Sequence, residues 1–327
     1  MTPLRDSNPR LTKGYPWNFY SEDEQSLLQS AGQNETLNLH MFREDVELAI
    51  PYLRNSKPSP LIVKPDSFDA RIRLSDIVAQ SEFHDIDDRV EDYLRRMVYT
   101  FVRYGKAYYE IVPHQHESKI FNFSFVQVYN HTLIEESGLL YQLVPGRGEQ
   151  THRVLISQDR LCAIVPDESL SKLISEVTNN LQSIDNEGFY ELALENMKLA
   201  SEGKQQGYID TAARIQAEKI ALAKVTRQVG WNCRGHFDLE ISPIYLYERQ
   251  ITWHYFLCEL RASAVSGFNS ILKKGNMILS EPLNEPFSIE YNILPNRISL
   301  DELRKSLRDG VIKLDNVLDE LEPHVTA

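Results

Sequence analysis

The stretch SPIYLYERQITWHYFLCELRASAVSGFNSIL, from Ser242 to Leu272, constrains this chain more than any other. It has no proline after Pro243 and no glycine before Gly267. Ser242 suits a helix N-cap and Pro243 suits the first helical position. The pattern predicts one helix over the whole stretch, about 45 Å long at roughly 1.5 Å per residue. A typical globular helix has only about 11–12 residues. One apolar stripe runs Ile244, Tyr247, Ile251, Tyr255, Cys258, Ala262, Val265, Phe268 and Leu272. A second runs Leu246, Trp253, Leu257, Leu260, Ala264 and Ile271. Two stripes require two covering neighbours. A single small domain can hardly supply both over such a length. The expectation is therefore burial between subunits, with Ile251, Tyr255, Cys258, Val265 and Phe268 at the interface.

Upstream, the periodicity changes twice. Residues 1–85 read as a proline-bearing arm followed by weak helical periodicity over Glu35–Asn55 and a short strand at Leu61–Val63. From Ile86, the positions Val90, Tyr93, Leu94, Met97, Val98 and Phe101 recur at three and four, which is an amphipathic helix. Asp85, Asp87 and Asp88 stand at its start, where the helix dipole favours negative charge. Gly105 is placed to end it in a left-handed conformation. Then KAYYEIV, FNFSFVQVY, LLYQLV, HRVLIS and RLCAIVP alternate like half-buried strands. Their short connections predict an antiparallel sheet. A block at 168–229 reads as helices, with Gly188, Gly203 and Gly207 as breaks. After the long helix, GNMILSE and FSIEYNIL read as two strands. Ser299 and Glu302 then form a capping box for one last helix, with the stripe Leu300, Leu303, Leu307, Val311, Leu314, Leu318 and Leu321. The fold class is α+β.

The chemistry is sparse. The net charge of −12 excludes a general nucleic-acid coat, which needs a concentrated positive field. It does not exclude a channel that lets DNA pass. Three cysteines, Cys162, Cys233 and Cys258, lie far apart with no CxxC pair, so neither a disulfide framework nor a zinc site is expected. No run of eighteen apolar residues occurs, and no membrane span is expected. His114 and His116 are weighed as metal ligands against a solvated loop, and the loop is favoured. His84 with Asp85, Asp87 and Asp88 is weighed as a cation site, and a helix-start charge cluster is favoured. His254 and Cys258, four apart, could pair as base and nucleophile. Cys258 lies on the apolar stripe, and a packing role is favoured. Pro145-Gly146-Arg147-Gly148 lacks phosphate-loop spacing. Glu135 and Glu136 have no visible partner. Trp17, Trp231 and Trp253 read as core or interface anchors. No catalytic residue, metal ligand or cofactor site is expected.

Two stretches resemble a known family. VEDYLRRMVYTFVRYGKAYYEIVP (Val90–Pro113) resembles the helix–Gly–strand unit in the wing of tailed-bacteriophage portal proteins, which form the head-to-tail connector. There a helix ends in a YGNAYYEI-like strand. ISPIYLYERQ, leading into SGFNSILKKGNMIL, resembles the segment of that family in which Ser-Pro begins the long stem helix. ISLDELRKSLRDGVIKLDNVLDEL lies where the returning helix belongs. The resemblance covers roughly Ile86–Pro166 and Ile241–Leu321, about half the chain.

The resemblance implies a wing-like α+β region at 86–230 that contains the helical block 168–229. It implies a stem helix at 231–272, a small β clip at 273–298 and a returning stem helix at 299–327. It further implies a non-enzymatic ring, generally a dodecamer, at the capsid vertex of a virion. Double-stranded DNA would be packaged and ejected through it. The partners implied are major capsid protein, the terminase motor and neck or adaptor proteins. Lys273, Lys274 and Arg297 bracket the clip and would form a sparse basic belt on DNA. The family is usually longer, with a helical crown after the returning helix, and its block between wing and stem is smaller than 168–229. Two other classes stay open: a soluble hydrolase, and a protein-binding scaffold or adaptor.

Overall fold

The structure is a computed structural model. It describes residues 36–51, 59–78, 83, 85–116, 118–145, 151–186, 211–235, 242–283 and 286–325. Among these are eight α-helices and eight strands. The helices are α1 (Leu37–Asp45), α2 (Phe68–Ile77), α3 (Ile86–Tyr104), α4 (Glu168–Asn186), α5 (Thr211–Val225), α6 (Pro243–Ile278), α7 (Arg297–Arg308) and α8 (Leu314–Leu321). The strands are β1 (Leu61–Lys64), β2 (Ala107–His116), β3 (Lys119–Val128), β4 (Leu133–Glu136), β5 (Leu139–Pro145), β6 (Thr151–Leu155), β7 (Leu161–Ile164) and β8 (Ser288–Tyr291). They form three antiparallel sheets, ordered β1-β8, β3-β2-β7 and β4-β5-β6. The α+β class is therefore observed. The expected arm, Trp17, His84, the 187–210 part of the helical block and the Gly146–Gly148 turn lie outside the described residues.

The chain divides into two compact units. The first combines Asn55–Pro166 with Arg261–Asn292. Its α3 buries Val90, Tyr93, Leu94, Met97, Val98 and Phe101, as their spacing requires. Asp85 caps it by accepting from Asp87 N–H at 2.8 Å. Gly105, at φ 74°, ends it, and its N–H bonds Phe101 O. That turn delivers β2 to the centre of its sheet, with Tyr109 opposite Gln127 on one side and Cys162 on the other. The second half of α6 packs into this unit. Phe268 meets Phe125 at 5.4 Å and Tyr93 at 6.4 Å, edge to face. Gly267 and Gly275 allow the approach. A Cβ on Gly267 would stand 2.4 Å from Ile164, and one on Gly275 2.2 Å from the Phe123 ring. β8 is held from both sides. It pairs with β1, and the Asn269 side chain accepts from Ile289 N–H (2.8 Å) and donates to Ile289 O (3.0 Å).

The second unit combines Asn34–Arg54, Asp167–Leu260 and Ile293–Ala327. Its core on the first half of α6 is Ile251 with Leu300, Leu303, Leu307, Val317 and Leu321. Asp185, on α4, caps α1 from outside by accepting from Asn38 N–H (3.1 Å) and the Asn38 side-chain amide (2.6 Å). Arg249 is buried and donates to Ala223 O (3.0 Å), Thr226 Oγ1 (2.8 Å) and Trp231 O. It thus ties the end of α5 to α6, where carbonyls would otherwise lack donors.

Several expectations are corrected. The helix does not stop at Leu272 but runs 36 residues, to Ile278, so GNMILSE forms no strand. Gly275 and Asn276 lie within the helix: the Phe123 ring occupies the space a Cβ at Gly275 would need, and Asn276 accepts from Leu283 N–H (2.9 Å) and donates to Leu283 O (3.1 Å). The expected pair of strands over 273–298 is thus one strand, β8. The last helix is two, α7 and α8, parted at Gly310 (φ 69°). Its N-cap is Asn296, with Ser299 at the third position of the capping box. His114 and His116 lie in β2, not in a loop, and His114 Nε2 stands 3.1 Å from Ser124 Oγ.

Candidate functional site

The residues expected to meet a second subunit are mostly accounted for within the chain. Ile251 is fully buried by α7 and α8 of its own unit, and Phe268 by Tyr93 and Phe125 of its own unit. They are core positions, so two apolar stripes do not by themselves call for neighbouring subunits. The long helix passes through two units, and each supplies its own cover to one half. Tyr255 and Cys258 pack against the Ile251 cluster and are partly buried. Tyr255 donates to Asp301, and the Arg304 guanidinium lies 4.5 Å over its ring. Cys258 Sγ donates to Pro295 O at 3.3 Å, which fits a packing role. Val265 is partly buried. The large apolar side chains of α6 that remain open stand near its ends: Ile244 (54% exposed), Tyr245, Leu246 and Met277 (72%).

The three expected belt residues fare differently. Lys274 Nζ donates to Leu161 O (2.7 Å) and Gln158 O (3.3 Å). It thereby closes the start of β7, where two backbone carbonyls take the charge that was expected to face DNA. Arg297 opens α7 and pairs with Glu259 at 3.2 Å, with its side chain 72% exposed. Lys273 is exposed on α6. The two lysines belong to a helix and do not flank a strand, which corrects their assignment as brackets of a two-stranded clip.

Several of the other candidates make contacts within the fold. Asp87 accepts from Ser59 Oγ, and burial pushes its carboxyl up from the ordinary range. Glu136 pairs with Arg153 at 2.7 Å across the sheet of β4-β5-β6. Trp231 and Trp253 pack on Phe42 at 5.2 and 5.9 Å. Among the described residues no group of three or more His, Cys, Asp or Glu is placed to hold a metal ion, and no helix is long and apolar enough to cross a membrane.

Sequence patterns gave no hint of a buried polar cluster in the first unit. Glu91 Oε2 accepts from Arg95 at 2.7 Å and Glu91 Oε1 from the Tyr291 hydroxyl at 3.0 Å. All three residues are less than a tenth exposed. Burial pushes the Glu91 carboxyl up, and burial beside that carboxyl pushes the Tyr291 phenol up. The only available signal was a Glu and Arg four apart on the inner face of α3, a spacing equally common on solvated helices. The cluster locks β8 onto α3, so the segment after the long helix is fixed in place by charge as well as by strand pairing. No family model matches this chain, and no curated protein matches it.

Proposed function

We propose that this chain is a non-enzymatic ring component of the tailed-phage portal type, assembled at a capsid vertex, through which double-stranded DNA is packaged and ejected. One observation carries the reading. Along a single chain, an amphipathic helix ends on left-handed Gly105 and feeds a strand of a small antiparallel sheet. A 36-residue helix opening at Ser242-Pro243 then leads through β8 to two further helices. This order parallels the wing, stem and return of the family that the sequence resembles, with the single strand β8 where that family has its clip. The acidic balance fits a conduit that holds phosphates only loosely. The open apolar ends of α6 offer surface to adjacent copies, and Lys273 and Arg297 are the exposed basic groups available to a belt. The reading carries with it a dodecamer, docking of terminase and of neck or adaptor proteins, contact with the major capsid protein and residence in the virion.

The test is the native mass of the purified chain, with negative-stain images of the same sample. A closed ring of about twelve copies is expected for this family type. A monomer or dimer over a wide concentration range overturns the proposal.

A further inference from the structure

Cys233 and Arg234 are consecutive, neither is glycine, and both are left-handed, at φ 49° and 55°. A side chain in that region crowds its own backbone, and two in succession persist only where the surroundings hold them. The holding contacts are visible. On one side, Cys233 is fully buried and Trp231 packs on Phe42. Trp231 Nε1 also donates to Asp45 Oδ2 at 2.8 Å. On the other side, Arg234 spreads over the end of α1. Its Nε donates to Asp45 Oδ1 (2.9 Å) and its Nη2 to Glu44 Oε2 (2.8 Å). His40 Nε2 stands 3.1 Å from the second Glu44 oxygen. The Asn232 side chain accepts from Arg234 N–H at 3.2 Å. The two sets of contacts differ in their exposure to solvent. The Trp231 and Cys233 anchors are dry and the Asp45 side chain is only 18% exposed, whereas the Arg234 and Glu44 side chains are 41% and 47% exposed.

We propose that this turn is a strained latch, closed by the Arg234 guanidinium on Glu44 and Asp45 and opened when salt screens those pairs. Screening acts most on the exposed Arg234–Glu44 pair, less on Arg234–Asp45, and leaves the apolar packing of Trp231 and Cys233 untouched, so the latch opens locally, at the turn and the end of α1. The backbone strain favours the open form. The device senses ionic strength, and it stands independently of the portal proposal.

Hydrogen exchange on the full chain tests it, comparing the wild type with Arg234→Ala and Arg234→Gly at 0.05 M and 1 M sodium chloride. Both variants remove the guanidinium, and they differ only in the side-chain atom that φ 55° crowds. Wild-type amides over 231–235 are expected to exchange about tenfold faster at the higher salt, while those over 300–308 do not change. Both variants should exchange faster at low salt than the wild type does, and both should lose the salt response. Arg234→Gly should be several-fold slower than Arg234→Ala. A wild-type turn insensitive to salt overturns the latch, as does equal acceleration over 300–308. Equal rates for the two variants overturn the stored strain.

Discussion

At the residue scale, the buried polar groups of the first unit respond to substitution in opposite ways. The Tyr109 hydroxyl is fully buried and has no hydrogen-bond partner among the described residues. Burying a hydroxyl without a partner costs about 1–3 kcal/mol. Tyr109→Phe keeps the ring that packs on Phe125 and removes only that cost. It should raise the urea midpoint by an amount corresponding to about 1 kcal/mol, with an unchanged slope. Glu91, by contrast, has partners. Because burial raises its folded-state pKa above the unfolded value, the folded chain holds the proton more tightly. The stability linked to this group is present below the unfolded pKa and is lost as pH rises through the raised folded value. Glu91→Gln cannot titrate. Urea titrations from about pH 4 to 7 should show the decline of the wild type flattened in the variant. An unaltered pH profile would place the proton elsewhere.

At the element scale, the long helix shows which local preference prevails. Gly→Ala inside a free helix stabilises it by about 1 kcal/mol. At Gly275 the added methyl would lie 2.2–2.6 Å from three atoms of the Phe123 ring. Phe123 is fully buried and cannot swing aside. Overpacking of this kind costs about 1–3 kcal/mol, so the clash outweighs the propensity. Gly275→Ala should therefore lower the melting temperature, and adding Phe123→Leu should recover part of the loss. The same close contact accounts for a glycine inside the helix at GNMILSE, where a strand was expected. Periodicity reports which residues are apolar, but not that a glycine is needed for a ring to lie against the helix. Gly105 was legible because its role is local, ending a helix whose period is plain. Asn269 and Asn276 were not, since each grips a backbone segment that reaches it only in the folded unit. The same holds for Lys274, whose carbonyl partners lie more than a hundred residues away.

At the scale of the whole molecule, burial separates folding from assembly. Ile251 serves the core of its own unit, and an aspartate there would sit unpaired among leucines at a cost of several kcal/mol. Ile251→Asp should unfold the second unit at far lower urea, whatever the assembly does. Leu246 is 39% exposed, and Leu246→Asp should leave the midpoint within about 0.5 kcal/mol of the wild type. If adjacent copies cover the ends of α6, the Leu246 variant alone yields folded chains of reduced native mass. Equal native mass for that variant and the wild type removes this turn from any interface. The α+β class, α3 and the strands β2, β3, β5, β6 and β7 were legible in the sequence because periods of two and three to four mark them residue by residue, whereas α2, β4 and the division of the last helix were not. The cover of the long helix was not, because amphipathic stripes say that neighbours exist and not whose they are. That same helix has a bearing on how the chain acquires its structure. A helix meets its entropic cost in the first turn and thereafter propagates with about one bond gained per residue fixed. Pro243–Leu260 belongs to one unit and Arg261–Ile278 to the other, with no break between them. Nucleation is thus required once for both halves, and whichever unit orders first supplies the other with a helix already growing at its boundary.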